Sequence, residues 1–378
     1  MTSRKRICFV CSAPVTFEAF LAPMVRGLAA NVDVTVVMNG RPALPEVHAA
    51  VFLQVGVERS VMPVRDCWAL LQLIRLFYTQ RFDAVHSVTP KAGLLAMLAA
   101  RITGIRCRHH TFTGQIWATR TGAARWILKA MDRILAACAS EVLADSPSQL
   151  RFLMEQGIVL PGRGLILGTG SICGVNLERF RPDVARRLAM REELALETAA
   201  TVFLYLGRMK REKGLLDLAD AFRSLAKEQA GVQLLLVGPD EEGLIPLIRD
   251  RLAQSGHRLI VAGSTARPED YMQAADVFCL PSYREGFGTV IIEAAACGLP
   301  CVASRIYGIT DAVEDRVSGL LHAPGEPGEL LECMRRLHVQ PELRLELGQA
   351  AAARAAQLFS EPLIIGALVD FYRVRLDS

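Results

Sequence analysis

Short apolar runs, each followed by a helical pattern, alternate along the whole chain. Parallel strands joined by crossover helices read this way. A strand buried on both faces is a continuous apolar run, and the helix that covers it is apolar with a period near 3.6. In the first half the pattern predicts strands at 6–11, 32–38, 82–86, 107–111 and 141–144, and helices at 17–30, 66–78, 90–103 and 122–139. In the second it predicts strands at 201–206, 232–237, 259–262 and 277–280, and helices at 214–228, 242–254, 268–274 and 290–297. A length of 378 residues is long for one such unit and suits two. The expected division is 1–170 and 171–361, with a helix at about 362–378 packing back on the first domain. The stretch 157–183, with Pro161-Gly162-Arg163-Gly164 and Gly168-Thr169-Gly170-Ser171, reads as the hinge region.

Hydrophobic residues make up 51% of the chain and charged residues 22%, enough for large cores and far from disordered composition. No apolar run approaches the ~18 to 20 residues that a membrane-spanning helix needs. Residues Met1 to Arg6 are polar and lead straight into a strand, so no signal peptide is expected; the ten cysteines read as reduced thiols without a disulfide framework. Cys8 and Cys11 form a CxxC, but inside an apolar strand positions three apart point to opposite faces, so both read as core. Net charge is only +4, yet residues 1–180 carry 20 Lys and Arg against 11 Asp and Glu, and the remainder 23 against 28. The halves are therefore +9 and −5. A nucleic-acid binder would be more basic and more aromatic, so a membrane is the better anionic partner for the first half.

Two segments concentrate chemistry. Gly207-Arg208-Met209-Lys210-Arg211-Glu212-Lys213-Gly214 lies between a strand and a helix, where cations are unfavourable unless an anion such as a diphosphate sits between them. The bland alternative is a solvated basic loop. Pro281-Ser282-Tyr283-Arg284-Glu285-Gly286-Phe287-Gly288-Thr289 again joins a strand to a helix, and Glu293 follows in that helix. Glu285 is placed to accept from a sugar hydroxyl, and the amides of Gly288, Thr289 and Val290 to face phosphate. For Glu293 the competing role is complementing the helix dipole. In the first half, Thr89 reads as an N-cap and Pro90 as the first helical residue, which puts Lys91 where an anion would relieve repulsion. His86 and His109 read as structural.

Together these residues resemble glycosyltransferase family 4, whose signature is two glutamates in an E-x7-E spacing; Glu285 and Glu293 match it, and Glu293-Ala294-Ala295-Ala296-Cys297-Gly298-Leu299-Pro300 continues the pattern. Gly207-Arg208 with Glu212-Lys213-Gly214 is similar to that family's phosphate segment. The resemblance implies that Arg208 and Lys213 hold the diphosphate, Glu293 the ribose and Glu285 the transferred sugar. His86-Ser87-Val88-Thr89-Pro90-Lys91-Ala92-Gly93 and Gly170-Ser171-Ile172-Cys173-Gly174-Val175-Asn176 resemble the branch that builds bacterial capsule, exopolysaccharide or O-antigen. Where many relatives have His-Gly, this chain reads His110-Thr111-Phe112-Thr113-Gly114, so Thr113 stands at the usual histidine position, with His110 or the Thr113 hydroxyl as substitutes. The glycine pair usual after the first strand is replaced by Ser12-Ala13-Pro14.

The implied fold is α/β of the GT-B type, two Rossmann-like doubly wound domains facing each other across a cleft. The implied enzyme is a retaining, metal-independent hexosyltransferase without cofactor. It would move a hexose or N-acetylhexosamine from a nucleotide-diphosphate sugar, uridine being the favoured nucleotide, to a lipid-pyrophosphate-linked saccharide. The catalytic set is Glu285, Arg208, Lys213 and His110; the donor set adds Gly288, Thr289, Val290 and Glu293; Lys91 and Thr113 are acceptor-side candidates. The expected location is cytoplasmic, on the cytosolic face of the inner (plasma) membrane. Arg120, Arg125, Trp126, Lys129 and Arg133 form a basic and aromatic face there, unless Trp126 points into the core. Two rivals stand beside this reading: a non-catalytic sugar-nucleotide sensor or scaffold, and a Rossmann-type oxidoreductase, which would want the G-x-G-x-x-G that this chain lacks.

Overall fold

The computed structural model describes residues 4–42, 50–57, 62–253 and 258–376. Strands β1 (Arg6–Val10), β2 (Asp33–Met38), β3 (Ala50–Gln54), β4 (Ala84–Val88), β5 (Cys107–Phe112), β6 (Glu141–Ala144) and β7 (Gly164–Ile166) form one parallel sheet in the order 3-2-1-4-5-6-7. Strands β8 (Thr201–Leu206), β9 (Val232–Val237), β10 (Leu259–Gly263), β11 (Val277–Leu280), β12 (Cys301–Ser304) and β13 (Gly319–His322) form a second, in the order 10-9-8-11-12-13. Each order reverses once, between β1 and β4 and between β8 and β11. Both are doubly wound Rossmann-like sheets, whose ligands bind outside the carboxyl ends of the strands at the reversal.

Contacts divide the chain into one unit of 1–174 with 361–378 and another of 175–360. In the first, helix Glu361–Leu376 places Leu368, Phe371 and Tyr372 among Ile7, Phe9 and Leu21. Its Tyr372 hydroxyl lies 2.7 Å from His86 Nδ1, and Arg375 grips both oxygens of Glu141 at 2.5 and 2.8 Å. His86 is thus a satisfied structural residue, its second nitrogen 2.7 Å from the Thr111 hydroxyl. His109 is buried against Phe371, 3.5 Å from Glu141. Cys8 in β1 and Cys11, just past its end, are both buried as free thiols.

Several elements depart from expectation. The helix expected at 17–30 starts at Pro14 and passes through a π turn at Phe17–Leu21 before Ala22–Ala29. Pro23 cannot donate back along the helix, which leaves the turn before it to widen. The helix expected at 242–254 runs Leu244–Arg251 because the Asp240 carboxylate accepts from the amides of Leu244 and Ile245, at 2.8 and 2.9 Å, and starts it later; Gln254 lies outside the described residues. The stretch 157–183 is not uniformly a hinge. It contains β7, and the unit boundary falls only at Gly174.

Candidate active site

In the second unit, the loops after β8 and β11 meet at the reversal point although some 70 residues separate them in sequence. Their backbones touch. Gly214, at φ +70°, ends the first loop and begins helix Leu215–Glu228; a Cβ there would stand 2.0 Å from the Pro281 carbonyl oxygen. The Tyr283 amide donates to the Glu212 carbonyl at 2.9 Å. Gly286 is approached nearly as closely by Gly308, whose Cβ would fall 2.3 Å from its oxygen.

Side chains complete the seam. Lys213 Nζ lies 2.5 Å from Glu285 Oε1, which also accepts from the Ser282 hydroxyl at 2.9 Å. Beside it Arg284 pairs with Glu212 at 2.7 Å, and the flanking cations hold the Glu212 carboxyl below its ordinary range against the opposing pull of burial. Under both pairs lies Tyr205, wholly buried, its hydroxyl donating to the Arg208 carbonyl at 2.8 Å. Burial, then the nearby Glu285 carboxylate, push its phenol well above the ordinary tyrosine range. Tyr205 is therefore an uncharged residue tied to the Arg208 backbone and within electrostatic reach of Glu285 and Glu212.

The cation set is more balanced than the sequence implies. Lys213 is matched by Glu285, Arg284 by Glu212 and Lys210 by Glu241 at 2.8 Å. Arg208 stands apart, half exposed and 3.6 Å from Glu241. With Arg211, which is also exposed, it is among the more available cations of the segment. The following helix, Thr289–Ala296, starts at Gly288 (φ +82°) without a side-chain cap, so the amides of Thr289 and Val290 stand at an uncapped helix N-terminus. Glu293 sits in the second turn, past the first-turn positions where a carboxylate best complements the dipole. Burial raises its carboxyl to about 7, partly offset by Arg179. A carboxyl stabilised by the helix dipole would shift the other way.

In the first unit, Lys91 lies just past β4 at the other sheet's reversal point, but its ammonium is engaged by Asp66. Thr89 does not cap: it adopts φ +80°, and its buried hydroxyl oxygen has no hydrogen-bond partner. His110 is 1% exposed, held by Ser87 at 2.8 Å and packed on Phe112 and Gly93. Burial drives its imidazole down to about 3, so it is a neutral core residue. Thr113 is half-buried after β5, and its carbonyl accepts from both Gln115 and Gln149, at 2.6 and 2.7 Å. Trp126 is 71% exposed rather than in the core, whereas Arg125 and Lys129 lie over the ring of the buried Trp117 at 5.9 and 5.4 Å.

Residues 187–354 match the family described as glycosyl transferases group 1, and residues 17–168 the glycosyl transferase 4-like domain. The chain belongs to glycosyltransferase family 4. The transferase is 27% identical, over 92% of its length and 91% of the relative's, to the capsular polysaccharide biosynthesis glycosyltransferase CapM of Staphylococcus aureus. Over 70% of its length and 68% of the relative's it is 26% identical to the UDP-Gal:alpha-D-GlcNAc-diphosphoundecaprenol alpha-1,3-galactosyltransferase of Escherichia coli. In fold it is similar to Anabaena HepE, whose structure is a complex with UDP and glucose, at a TM-score of 0.81 with 21% identity and full coverage of both chains. The fold is GT-B.

Proposed function

We propose that the transferase moves a hexose or N-acetylhexosamine from a uridine-diphosphate sugar to a lipid-pyrophosphate-linked saccharide in cell-surface polysaccharide or glycan assembly, with retention of the anomeric configuration. One observation carries the reading: the joined loops after β8 and β11 set Lys213, Glu285 and Ser282 in contact at the sheet's reversal point, beside the exposed Arg208 and the uncapped Thr289–Ala296 helix. Arg208 and Lys213 take the diphosphate, with the amides of Gly288, Thr289 and Val290. Once phosphate draws Lys213, Glu285 is released to accept from the sugar's hydroxyls, and Glu293 accepts from the ribose. One guanidinium and one ammonium charge, with helix amides, neutralise the departing diphosphate electrostatically, so no metal is required of the protein. On the acceptor side, Lys91 and the Thr113 hydroxyl are the candidates; His110 serves by packing. The names of the E. coli galactosyltransferase and of the Anabaena complex support a UDP donor and a lipid-linked acceptor.

The transferase works peripherally on the cytosolic face of the plasma membrane. No described helix is long and apolar enough to cross a membrane, and residues 1–180 carry a net +9. Turnover of radiolabelled UDP-sugars into lipid extract tests the reading and identifies the sugar. NMR of the product should show the donor's anomeric configuration. Tight UDP binding without turnover of any sugar would identify a sensor, and an inverted product would reject the retaining mechanism.

A further inference from the structure

Helix Pro63–Gln80 carries two apolar stripes. Ala69, Leu73 and Phe77 are buried in the first unit's core. On the opposite side Val64, Trp68, Leu71 and Tyr78 are 84, 63, 57 and 75% exposed. Their separations of four, three and seven residues align them along one face, a line of about 21 Å at ~1.5 Å per residue. Arg75 falls on the same face. Large apolar side chains scattered singly are ordinary surface, but four in a line are not.

The helix belongs to a layer. It packs on Pro90–Ile102, which packs on Gly122–Cys138, where Trp126, Ile127 and Ile134 are also exposed. These three helices contain seven cations and two carboxylates. Both carboxylates are spoken for on the inner side: Asp66 by Lys91, and the buried Asp132 by Trp117 Nε1 at 2.6 Å. Arg101, Lys129 and Arg133 reach only neutral oxygens, those of Ala137, Gln156 and Gly157. The outer surface thus combines apolar and aromatic side chains with Arg101, Lys129 and Arg133, whose hydrogen-bond partners among the described residues are neutral.

We infer that this layer docks on an anionic lipid bilayer and that the stripe on Pro63–Gln80 is its apolar anchor. Exposed Trp and Tyr beside Arg suit the interface between headgroups and acyl chains, and the cations favour anionic lipid. A second copy of the chain is the poorer occupant, because a twofold contact through this face would set like charges against like. The inference rests on the proposed lipid-linked acceptor.

The chain has three tryptophans, and Trp117 is 1% exposed, so Trp126→Phe leaves Trp68 as the one exposed reporter and Trp68→Phe leaves Trp126. With vesicles containing phosphatidylglycerol, emission of the Trp126→Phe protein should shift to the blue and be quenched by brominated acyl chains; vesicles of phosphatidylcholine alone should do neither. The triple variant Trp68→Ser, Leu71→Ser, Tyr78→Ser should sediment with anionic vesicles roughly tenfold less well, since apolar burial drives interfacial binding, while its melting temperature and UDP affinity stay parental. Silent Trp68 emission with a responsive Trp126 overturns the anchor and keeps docking through Gly122–Cys138. Failure of the parental protein to bind anionic vesicles overturns docking and the membrane location together. Intact docking without transfer to lipid sinks the functional reading alone. A dimer that the triple variant dissociates shows that a second copy occupies the face and overturns the inference, as does equal binding to neutral vesicles.

Discussion

Replacing Gly214 with alanine strikes the backbone contact on which the site's assembly depends. The new methyl would lie 2.0 Å from the Pro281 oxygen and 2.8 Å from its carbonyl carbon, and neither is the end of a flexible side chain. Close carbon-to-oxygen contacts stop at about 3.3 Å, so the two loops must part by roughly 1 Å. That displacement resembles overpacking and costs about 1–3 kcal/mol. The left-handed backbone at φ +70° adds about 1–2 kcal/mol for any residue with a Cβ. Gly231 isolates the second cost, because it has φ +65° and open space around its Cβ position. Urea unfolding should therefore show Gly231→Ala losing about 1–2 kcal/mol and Gly214→Ala about 2–5 kcal/mol. Activity should separate them further. Lys213 and Glu285 ride on the two parting loops, so kcat/KM should fall in Gly214→Ala and hold in Gly231→Ala. Equal stability losses, or parental kcat/KM in Gly214→Ala, would refute the claim that this contact assembles the site.

Glu285→Gln keeps size but loses charge, and kcat should fall roughly tenfold or more while UDP affinity changes little, because charged hydrogen bonds tighten as the transition state forms; parental turnover would remove Glu285 from catalysis. Glu293 has its folded carboxyl raised from 4.5 to about 7 by burial. Between those values the folded chain holds a proton that the unfolded chain has lost, so stability falls as pH rises through that window; melts of Glu293→Gln should lack that component, and an identical pH profile would contradict it. The Arg284–Glu212 pair is predicted to hold the two loops in register, so Arg284→Glu and Glu212→Arg should each cost about 1–3 kcal/mol and recover much of it when combined. Additive losses in a urea series would show that the pair is not coupled.

Much of the fold is legible because most strands are apolar runs set between helical patterns. β6, β8, β9 and β11 fall where the pattern puts them. β3, β7, β12 and β13 are not legible in this way: β3 is partly exposed, β7 has three residues and lies in a stretch rich in turn residues, and β12 and β13 have four residues each. The sequence pattern assigns no element where the helices Pro147–Glu155, Val184–Glu193, Pro327–Val339 and Pro341–Phe359 stand. At the site, charge placement was visible but its compensation was not. Lys213 to Glu285 and Arg284 to Glu212 span 72 residues each, a distance no local pattern bridges. Tyr205 reads as one more apolar strand residue; the available signal is a phenol two residues before Gly207-Arg208, which has to find a partner when buried. His110 misled because burial, which decides its protonation, depends on Ser87 and Gly93 closing around it.

Titration calorimetry of UDP into the parental transferase and into the folded Arg208→Ala, Lys213→Ala double variant tests the donor site most directly. Each contact to phosphate is worth roughly 1.5–3 kcal/mol, which predicts affinity at least a hundredfold weaker in the double variant. UDP binding with unchanged affinity would place the diphosphate elsewhere and contradict the account.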